Sequence, residues 1–169
     1  MRFLLLCSAL AAMPPAVMAQ TVAPASRSVH DAGRMSPTME TFFRTLRRPD
    51  SPNHWLVAPA DFAVRPDAVA PVFAAPAAAV QAALLTVISQ TGGTVIHADM
   101  ADGLHVVVTS AIFRFKDDVR VQFIPLSSQQ STLAIHSASR VGYWDLGANR
   151  RRVEDWLVRL PIALSAPKP

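Results

Sequence analysis

Two acidic residues stand side by side in a segment whose other residues follow the pattern of a β-strand. Asp117 and Asp118 interrupt a run of alternating apolar and polar side chains. Because successive strand residues point to opposite faces, Asp117 is expected in the apolar layer of Phe115 and Val119. A carboxylate in that layer needs a cation or a hydrogen-bond donor beside it, since its isolated burial is costly. A β-bulge at the pair is the alternative, and it would turn this side chain outward.

A second polar cluster, residues 136–152, combines hydroxyl groups, guanidinium groups, a carboxylate and an amide. If its first residues continue a strand, Ser137 and Ser139 share one face of that strand. His136 and Arg140 then take the other face. The planar fork of arginine binds carboxylates and phosphates in a bidentate manner. We therefore expect arginines of this segment to meet the aspartates of the earlier strand or an anionic ligand.

The two clusters together define one candidate site. Arg140 or Arg150 is expected to reach one of the aspartates. Asp145 is expected to be the N-cap of the last helix, because a carboxylate accepts hydrogen bonds from the free amides of a first turn. Such a set forms a structural polar network with a helix cap, a pocket for an anion or other small ligand, or a catalytic site. The members of the candidate site are Asp117, Asp118, Ser137, Ser139, Arg140, Asp145, Asn149 and Arg150.

The sequence contains no evident activated nucleophile or metal centre. Neighbouring strand residues face opposite ways, so His136 is badly placed to activate Ser137 or Ser139. A metal site would need distant side chains to converge, because the histidines lack the i, i+4 spacing of helical zinc motifs. We therefore predict no catalytic residue, no metal and no cofactor. The side chains that would have to converge are His54, His97, Asp99, His105 and His136.

The first 19 residues have the features of a cleavable signal peptide. Arg2 supplies a positive start, residues 3–13 form an apolar run, and cleavage is expected after Ala19. An uncleaved membrane anchor is the alternative, but the run is well short of the roughly 20 residues that span a bilayer. Cleavage would remove Cys7, the one cysteine, and with it disulfides and thiolate chemistry. We expect a periplasmic or secreted protein.

Composition favours one folded domain and argues against a nucleic-acid-binding class. Of the 169 residues, 51% are hydrophobic and 17% are charged, so a core can form. The formal net charge is only +4, and the basic residues are scattered along the chain. After the leader, no segment is long and apolar enough to cross a bilayer. The expected partners are therefore a small anionic ligand or an envelope protein, and not a nucleic acid.

The order of the predicted elements indicates an α+β fold. Residues 20–35 form a flexible polar lead-in to one domain, residues 36–165. Short connections favour an antiparallel sheet of about four or more strands, with helices packed on one face in two layers. The expected elements are a helix from Ser36-Pro37, a helix between Pro76 and Gly92-Gly93, strands over 94–100, 104–109, 113–123 and 131–141, and a helix between Asp145 and Pro161.

A long block of the sequence resembles a known family. Residues 113–154 pair an aromatic-x-Asp-Asp strand with the segment HSASRVGYWDLGANR, and both are similar to hallmarks of the domain of unknown function 1499 (DUF1499). The resemblance covers about residues 41–160 and includes Pro52-Asn53. It departs at Trp144, where the family more often has serine, and at His54, where many members have cysteine. The resemblance implies an exported or membrane-associated bacterial protein and supplies no settled activity.

Three functions fit these residues. The first is a non-enzymatic periplasmic module, either accessory or ligand-binding, with a polar site centred on Arg140 and Arg150. The second is a hydrolase-like enzyme with Asp117 or Asp118 as general base, which requires a carboxylate open to a concave pocket. The third is a scaffold for envelope assembly, which predicts an exposed apolar patch around Trp55 or Trp144.

Overall fold

The described part of the chain contains three helices and six strands. The structure is a computed structural model that describes residues 38–110 and 114–166. The predicted signal peptide at 1–19, the lead-in at 20–35 and the helix start at Ser36-Pro37 lie outside the described residues. Within those residues, no helix combines the length and the apolarity needed to cross a membrane.

Six strands make one mixed sheet. They are β1 (His54–Ala58), β2 (Ala68–Val69), β3 (Thr94–Met100), β4 (Gly103–Thr109), β5 (Lys116–Pro125) and β6 (Ser131–Ser139). Their order across the sheet is β2-β1-β6-β5-β4-β3. Neighbouring strands are antiparallel except for β1 and β2, which are parallel. The antiparallel arrangement that the short connections predict for β3 to β6 is therefore confirmed.

Two helices cover one face of the sheet, and a third lies on the other face. They are α1 (Met39–Thr45), α2 (Ala77–Ser89) and α3 (Ala148–Ser165). Helices α2 and α3 bury their apolar sides against one face of the sheet, which we call the helical face. The short α1 packs against the opposite face, called the outer face, where Phe43 lies in a cluster with Leu56 and Ala134. The predicted α+β fold is confirmed, and α1 adds partial cover on the outer face.

The main core follows from the periodicities of the elements that form it. Val80, Leu84 and Ile88 recur at helical spacing along α2 and are buried, as their pattern predicts. On α3, Trp156 is the largest fully buried side chain of the described residues. Its indole Nε1 donates to the Thr91 hydroxyl oxygen at 3.2 Å, which ties α3 to the end of α2.

The last helix differs from its prediction at both ends. Pro161 lies inside α3 and does not end it. Proline removes one backbone hydrogen bond, but Ala163 and Leu164 beyond it still pack against the core and stabilise the continued helix. At the other end the N-cap is Gly147, with φ 77°, and not Asp145. Glycine adopts this left-handed conformation without steric cost.

The close approach of α1 to the sheet depends on a glycine in β4. A Cβ atom added at Gly103 would collide with the carbonyl oxygen of Val121 and with the Met39 side chain of α1. The methyl-sized space that other residues need is therefore already filled by the helix and the neighbouring strand.

Replacing Gly103 with alanine should destabilise the protein by about 1–3 kcal/mol, the usual cost of overpacking. The free energy of unfolding is measured by urea denaturation. Gly92→Ala is the matched control, because a Cβ atom there has no neighbour within 4 Å, and it should change stability by less than about 0.5 kcal/mol. Equal stability of the two variants would contradict the packing of α1 against β4.

Candidate functional site

The adjacent aspartates of β5 point to opposite faces of the sheet, as strand alternation predicts. Asp117 lies on the helical face and is only 5% exposed. Asp118 lies on the outer face and keeps contact with solvent. The β5–β6 ladder is in regular register, with Asp117 opposite Ser139 and Asp118 opposite Ala138, so no β-bulge turns either side chain. The two carboxylates therefore belong to separate clusters.

On the helical face, Asp117 forms a buried ion pair with an arginine of α3. Its Oδ2 atom lies 2.5 Å from Nη2 of Arg152. Through Nη1 the same guanidinium group donates to Ser137 Oγ and to Asn149 Oδ1, each at 2.8 Å. Arg152 is therefore the cation that the burial of this carboxylate requires.

Asn149 lies at the centre of this polar network and is fully buried. Its Oδ1 atom accepts a hydrogen bond from Ser137 Oγ at 2.6 Å. Its Nδ2 atom donates to Ser139 Oγ at 3.0 Å and to the carbonyl oxygen of Asn53 at 2.9 Å. The Asp145 carboxylate accepts from both the backbone N–H and Nδ2 of Asn149, each at 2.7 Å. Asp145 thus accepts hydrogen bonds from the start of α3, although it lies two residues before the N-cap and is not the N-cap that the sequence predicts.

Arg150 takes no part in the network. Its Nε atom donates to Glu154 at 2.8 Å, and its guanidinium group lies 5.0 Å from the centre of the Trp55 ring. Of the two arginines proposed to reach an aspartate of β5, Arg150 is therefore not the one that does so. Helical periodicity explains the difference, because Asn149 and Arg152 lie on the side of α3 that faces the sheet and Arg150 does not.

The network on the helical face is closed. Its carboxylates and its guanidinium group all have partners, and its central residues are shielded from solvent. Such a network stabilises the corner between β6 and α3. Of the three interpretations of the candidate site, the structural one fits these residues best.

On the outer face, Asp118 is held by two cationic or polar partners. Nε and Nη2 of Arg140 lie 2.8 and 2.9 Å from the two carboxylate oxygens, a bidentate pair. Nε2 of His105 lies 2.7 Å from Oδ1. The hydrogen bonds from Arg140 hold the pKa of Asp118 well below its usual range, although burial opposes the shift, and the bond with His105 adds to it. The predicted contact between Arg140 and an aspartate is thus present.

A row of basic side chains crosses the outer face beside this pair. The strand register places His105 opposite Arg120, and Arg120 opposite His136. The ring of His54 lies 5.6 Å from the ring of His136. From α1, the Phe42 ring lies 4.4 Å from the guanidinium carbon of Arg120. We call Arg120, His136 and His54 the basic cluster.

His136 is the most unusual group of the basic cluster. It is 4% exposed, and neither of its ring nitrogens has a hydrogen-bond partner among the residues that the structure describes. Nδ1 of His54 is likewise unpaired there. Burial, followed by the charges of His54 and Arg120, lowers the pKa of His136 to about 4. An unpaired buried polar group costs about 1–3 kcal/mol, so the fold keeps this imidazole at an energetic cost.

The geometry gives no support to general-base catalysis by the aspartates of β5. Both are bonded to arginines, and its low pKa makes Asp118 a weak base. Among the described residues, the histidine rings meet in two pairs, His97 with His105 and His54 with His136. In the described ranges, no group of three or more His, Cys, Asp or Glu side chains is arranged to hold a metal ion.

Sequence reasoning missed Arg152, Asn53 and Arg120 as members of the two clusters. Sequence spacing could have identified Arg152, since it lies three residues after Asn149 and therefore on the same side of the helix. Spacing could also have identified Arg120, because strand alternation places it on the face of Asp118. The contact of Asn53 depends on the pairing of β1 with β6, which its local sequence does not specify.

Comparison with protein families identifies the relatives of the chain. Residues 11–160 match the family described as protein of unknown function (DUF1499). The chain belongs to the DUF1499 family. The resemblance noted at residues 113–154 is therefore confirmed and extends over most of the DUF1499 chain. A comparison with curated proteins found no match.

Two solved structures are similar in part to this DUF1499 chain. A START superfamily protein from Mycobacterium smegmatis has 14% sequence identity, and the match covers 56% of this chain and 90% of that chain with a TM-score of 0.33. The protein TTHA0849 from Thermus thermophilus has 9% identity, and the match covers 66% and 93% of the two chains with a TM-score of 0.30. At these scores the likeness carries no argument about function.

Asp117→Asn should lower the free energy of unfolding by about 3 kcal/mol, because it leaves Arg152 buried beside an uncharged amide. Urea denaturation near neutral pH measures the loss. Glu154→Gln is the matched control, since it removes the carboxylate partner of the exposed Arg150 and should cost less than about 1 kcal/mol. A loss no larger for Asp117→Asn than for the control would show that the buried pair does not stabilise the corner.

Stability should fall as the pH is lowered from about 6.5 to about 4 because burial keeps His136 neutral. Its pKa is about 4 in the folded chain against the ordinary value of 6.5. In this window the unfolded chain therefore binds a proton that the folded chain does not, so the free energy of unfolding decreases as the pH falls. The loss from this group reaches at most about 3 kcal/mol and ends below about pH 4.

Urea denaturation at several pH values in that window tests the contribution of His136. His136→Gln should make the pH dependence shallower, because no imidazole remains at this position to be protonated on unfolding. His97→Gln, which changes an exposed histidine, serves as the control and should keep the slope of the wild type. An unchanged slope in His136→Gln would disprove the role of this residue.

Proposed function

We propose that this protein is a ligand-binding module of the cell envelope that binds a small anionic molecule on the outer face of its sheet. One observation carries the proposal. The nearly fully buried His136, with both ring nitrogens unpaired among the described residues, lies opposite the cationic Arg120. Side chains that merely stabilise a fold are normally hydrogen-bonded when buried. An unpaired imidazole beside a guanidinium group is better explained by a bound partner.

The donors of the basic cluster define the class of ligand. The guanidinium group of Arg120 binds a carboxylate or a phosphate through two parallel hydrogen bonds. A neutral imidazole such as that of His136 offers one donor and one acceptor. One oxygen of a phosphate or carboxylate group can accept the N–H of the imidazole while another oxygen binds the guanidinium group. The proposed ligand is therefore a small molecule with a phosphate or carboxylate group.

The surroundings of the basic cluster favour an anion. Arg120 and Arg140 carry two positive charges against the one negative charge of Asp118, so this part of the face keeps an excess of positive charge. Asp118 is already neutralised by its bidentate partner, which reduces its repulsion of an anion. Among the residues that the structure describes, Arg120 contacts the Phe42 ring and pairs with no carboxylate. Its hydrogen-bond donors are therefore available to a ligand.

The path of the ligand follows from the position of α1. Arg120 is half-buried and borders solvent, whereas His136 lies deeper. The Phe42 ring lies over Arg120 and 6.3 Å from the ring of His136. We propose that the anion meets Arg120 first and that a rotation of the Phe42 side chain uncovers the imidazole.

The location in the envelope rests on the first residues of the chain. An arginine followed by an apolar run and a small residue at position 19 is the pattern of a cleaved leader. We propose that export removes residues 1–19 and delivers the domain to the periplasm or the medium. An extracytoplasmic binding module of this size would act as an accessory to other envelope proteins.

Thermal denaturation in the presence of inorganic phosphate, succinate or glycerol phosphate tests the proposal. At least one of these anions should raise the Tm, since a ligand at a hundredfold excess over its Kd stabilises a protein by about 2.7 kcal/mol. Arg120→Gln and His136→Gln should each remove most of the shift. Arg150→Gln is the control, because this arginine belongs to the exposed side of α3, and it should keep the shift of the wild type.

Two results would contradict the proposed function. The first is the absence of a Tm shift with every one of the three anions. The second is a shift that Arg120→Gln retains in full while circular dichroism shows that the variant is folded.

A further inference from the structure

The loop between β6 and α3 carries four exposed apolar side chains. Val141, Tyr143, Trp144 and Leu146 are 55%, 73%, 68% and 64% exposed. Single exposed apolar residues are ordinary on protein surfaces, but a contiguous group marks an interaction site. We call these four residues the tip. The expectation of an exposed apolar patch near Trp144 agrees with this arrangement.

The tip is held in place by the buried polar network. Asp145, in the middle of the loop, accepts a hydrogen bond from the backbone N–H of Asn149 at 2.7 Å. The carbonyl oxygen of Gly142 accepts another from Nδ2 of Asn53. Leu146 has a φ of 55°, a left-handed conformation that is unfavourable for a residue with a side chain. The hydrogen bonds of the polar network therefore hold the loop in a conformation in which the apolar side chains are exposed to solvent.

Two cationic side chains near the tip, Arg151 and Lys116, have no carboxylate partner among the described residues. Residues 140–152 contain four arginines and one aspartate, a net charge of +3. Three of the arginines have carboxylate partners. Arg151 instead donates to the carbonyl oxygen of Leu146 at 2.8 Å and, within the described ranges, pairs with no carboxylate. Lys116 is also exposed. It lies at the same end of the sheet, because its carbonyl oxygen accepts a hydrogen bond from the N–H of Arg140 at 3.0 Å.

We propose that the tip docks on the surface of an anionic lipid bilayer. In this arrangement Tyr143 and Trp144 lie at the level of the headgroups, while Arg151 and Lys116 contact lipid phosphates. Tyrosine and tryptophan favour this interface because each combines an apolar ring with a polar atom. Each basic residue near an anionic membrane surface strengthens binding by about fivefold.

The shape of the tip favours a bilayer over a folded protein partner. Its four side chains are each more than half exposed and come from one short loop, so each offers most of its apolar surface to a soft interface. A protein partner would need a matching cavity, whereas the headgroup region of a bilayer adapts to a small apolar projection. The inference is independent of the anion site proposed on the outer face.

Vesicle flotation with the full chain tests the docking proposal. The wild type should bind vesicles that contain phosphatidylglycerol at least about tenfold more tightly than vesicles of phosphatidylcholine alone. The double variant Tyr143→Ser/Trp144→Ser should bind the anionic vesicles at least about tenfold more weakly. Any contribution of residues 1–35 cancels in this comparison, because every variant carries them.

A matched control removes two other exposed apolar side chains. Val158 and Ile162 of α3 are 70% and 69% exposed, similar to Tyr143 and Trp144. Val158→Ser/Ile162→Ser should change binding by less than about twofold, because these side chains lie outside the tip. A loss as large as that of the tip variant would overturn the proposal.

Quenching of tryptophan fluorescence by brominated lipids locates the contact. Trp144 is exposed, whereas Trp156 is fully buried and Trp55 is only partly exposed. Quenching should therefore appear when the wild type binds and should disappear in Trp144→Phe, which still binds. Equal affinity for the two kinds of vesicle, or quenching that persists in Trp144→Phe, would overturn the proposal. So would a dimer that forms without vesicles and is lost in the tip variant, because a second copy would then occupy the tip.

Discussion

The buried ion pair between Asp117 and Arg152 is the interaction on which the arrangement of this domain depends. It joins β5 to α3 beside the apolar core between the helices and the sheet, where either charge would be costly to bury alone. Asn149 and Asp145 extend it into a network that reaches β6 and the residue before β1. This network bonds the first turn of α3 to the sheet and holds the loop that precedes it.

Strand alternation gives the two neighbouring aspartates different roles. Asp117 is buried and stabilises the fold through its ion pair with Arg152. Asp118 points to the outer face, which α1 covers only in part. There it sits with Arg140 beside a cluster whose imidazole has no partner among the described residues. The same ladder that closes one face therefore leaves the other face with basic groups for a ligand. The proposed binding function depends on this division.

Features that depend on local periodicity were predictable from the sequence. The alternating burial along β5, the buried side of α2 and the opposite directions of Asp117 and Asp118 follow from periods of two and 3.6 residues. The features that depend on tertiary packing were not. Which arginine reaches Asp117, and the meeting of His54 with His136 through the pairing of β1 with β6, are set by contacts between distant segments. The passage of α3 through Pro161 likewise depends on packing beyond the proline.

The protonation state of His136 and its response to an added anion test most directly the claim that the outer face binds an anion. Nuclear magnetic resonance of isotope-labelled protein resolves the ring nitrogens of His136 and the side-chain amide of Asn149. At about pH 6 the account predicts a neutral His136 ring whose signals move when the stabilising anion is added, while the Asn149 amide does not move. A His136 ring that titrates near the ordinary value of 6.5, or an anion that shifts Asn149 and leaves His136 unchanged, would contradict it.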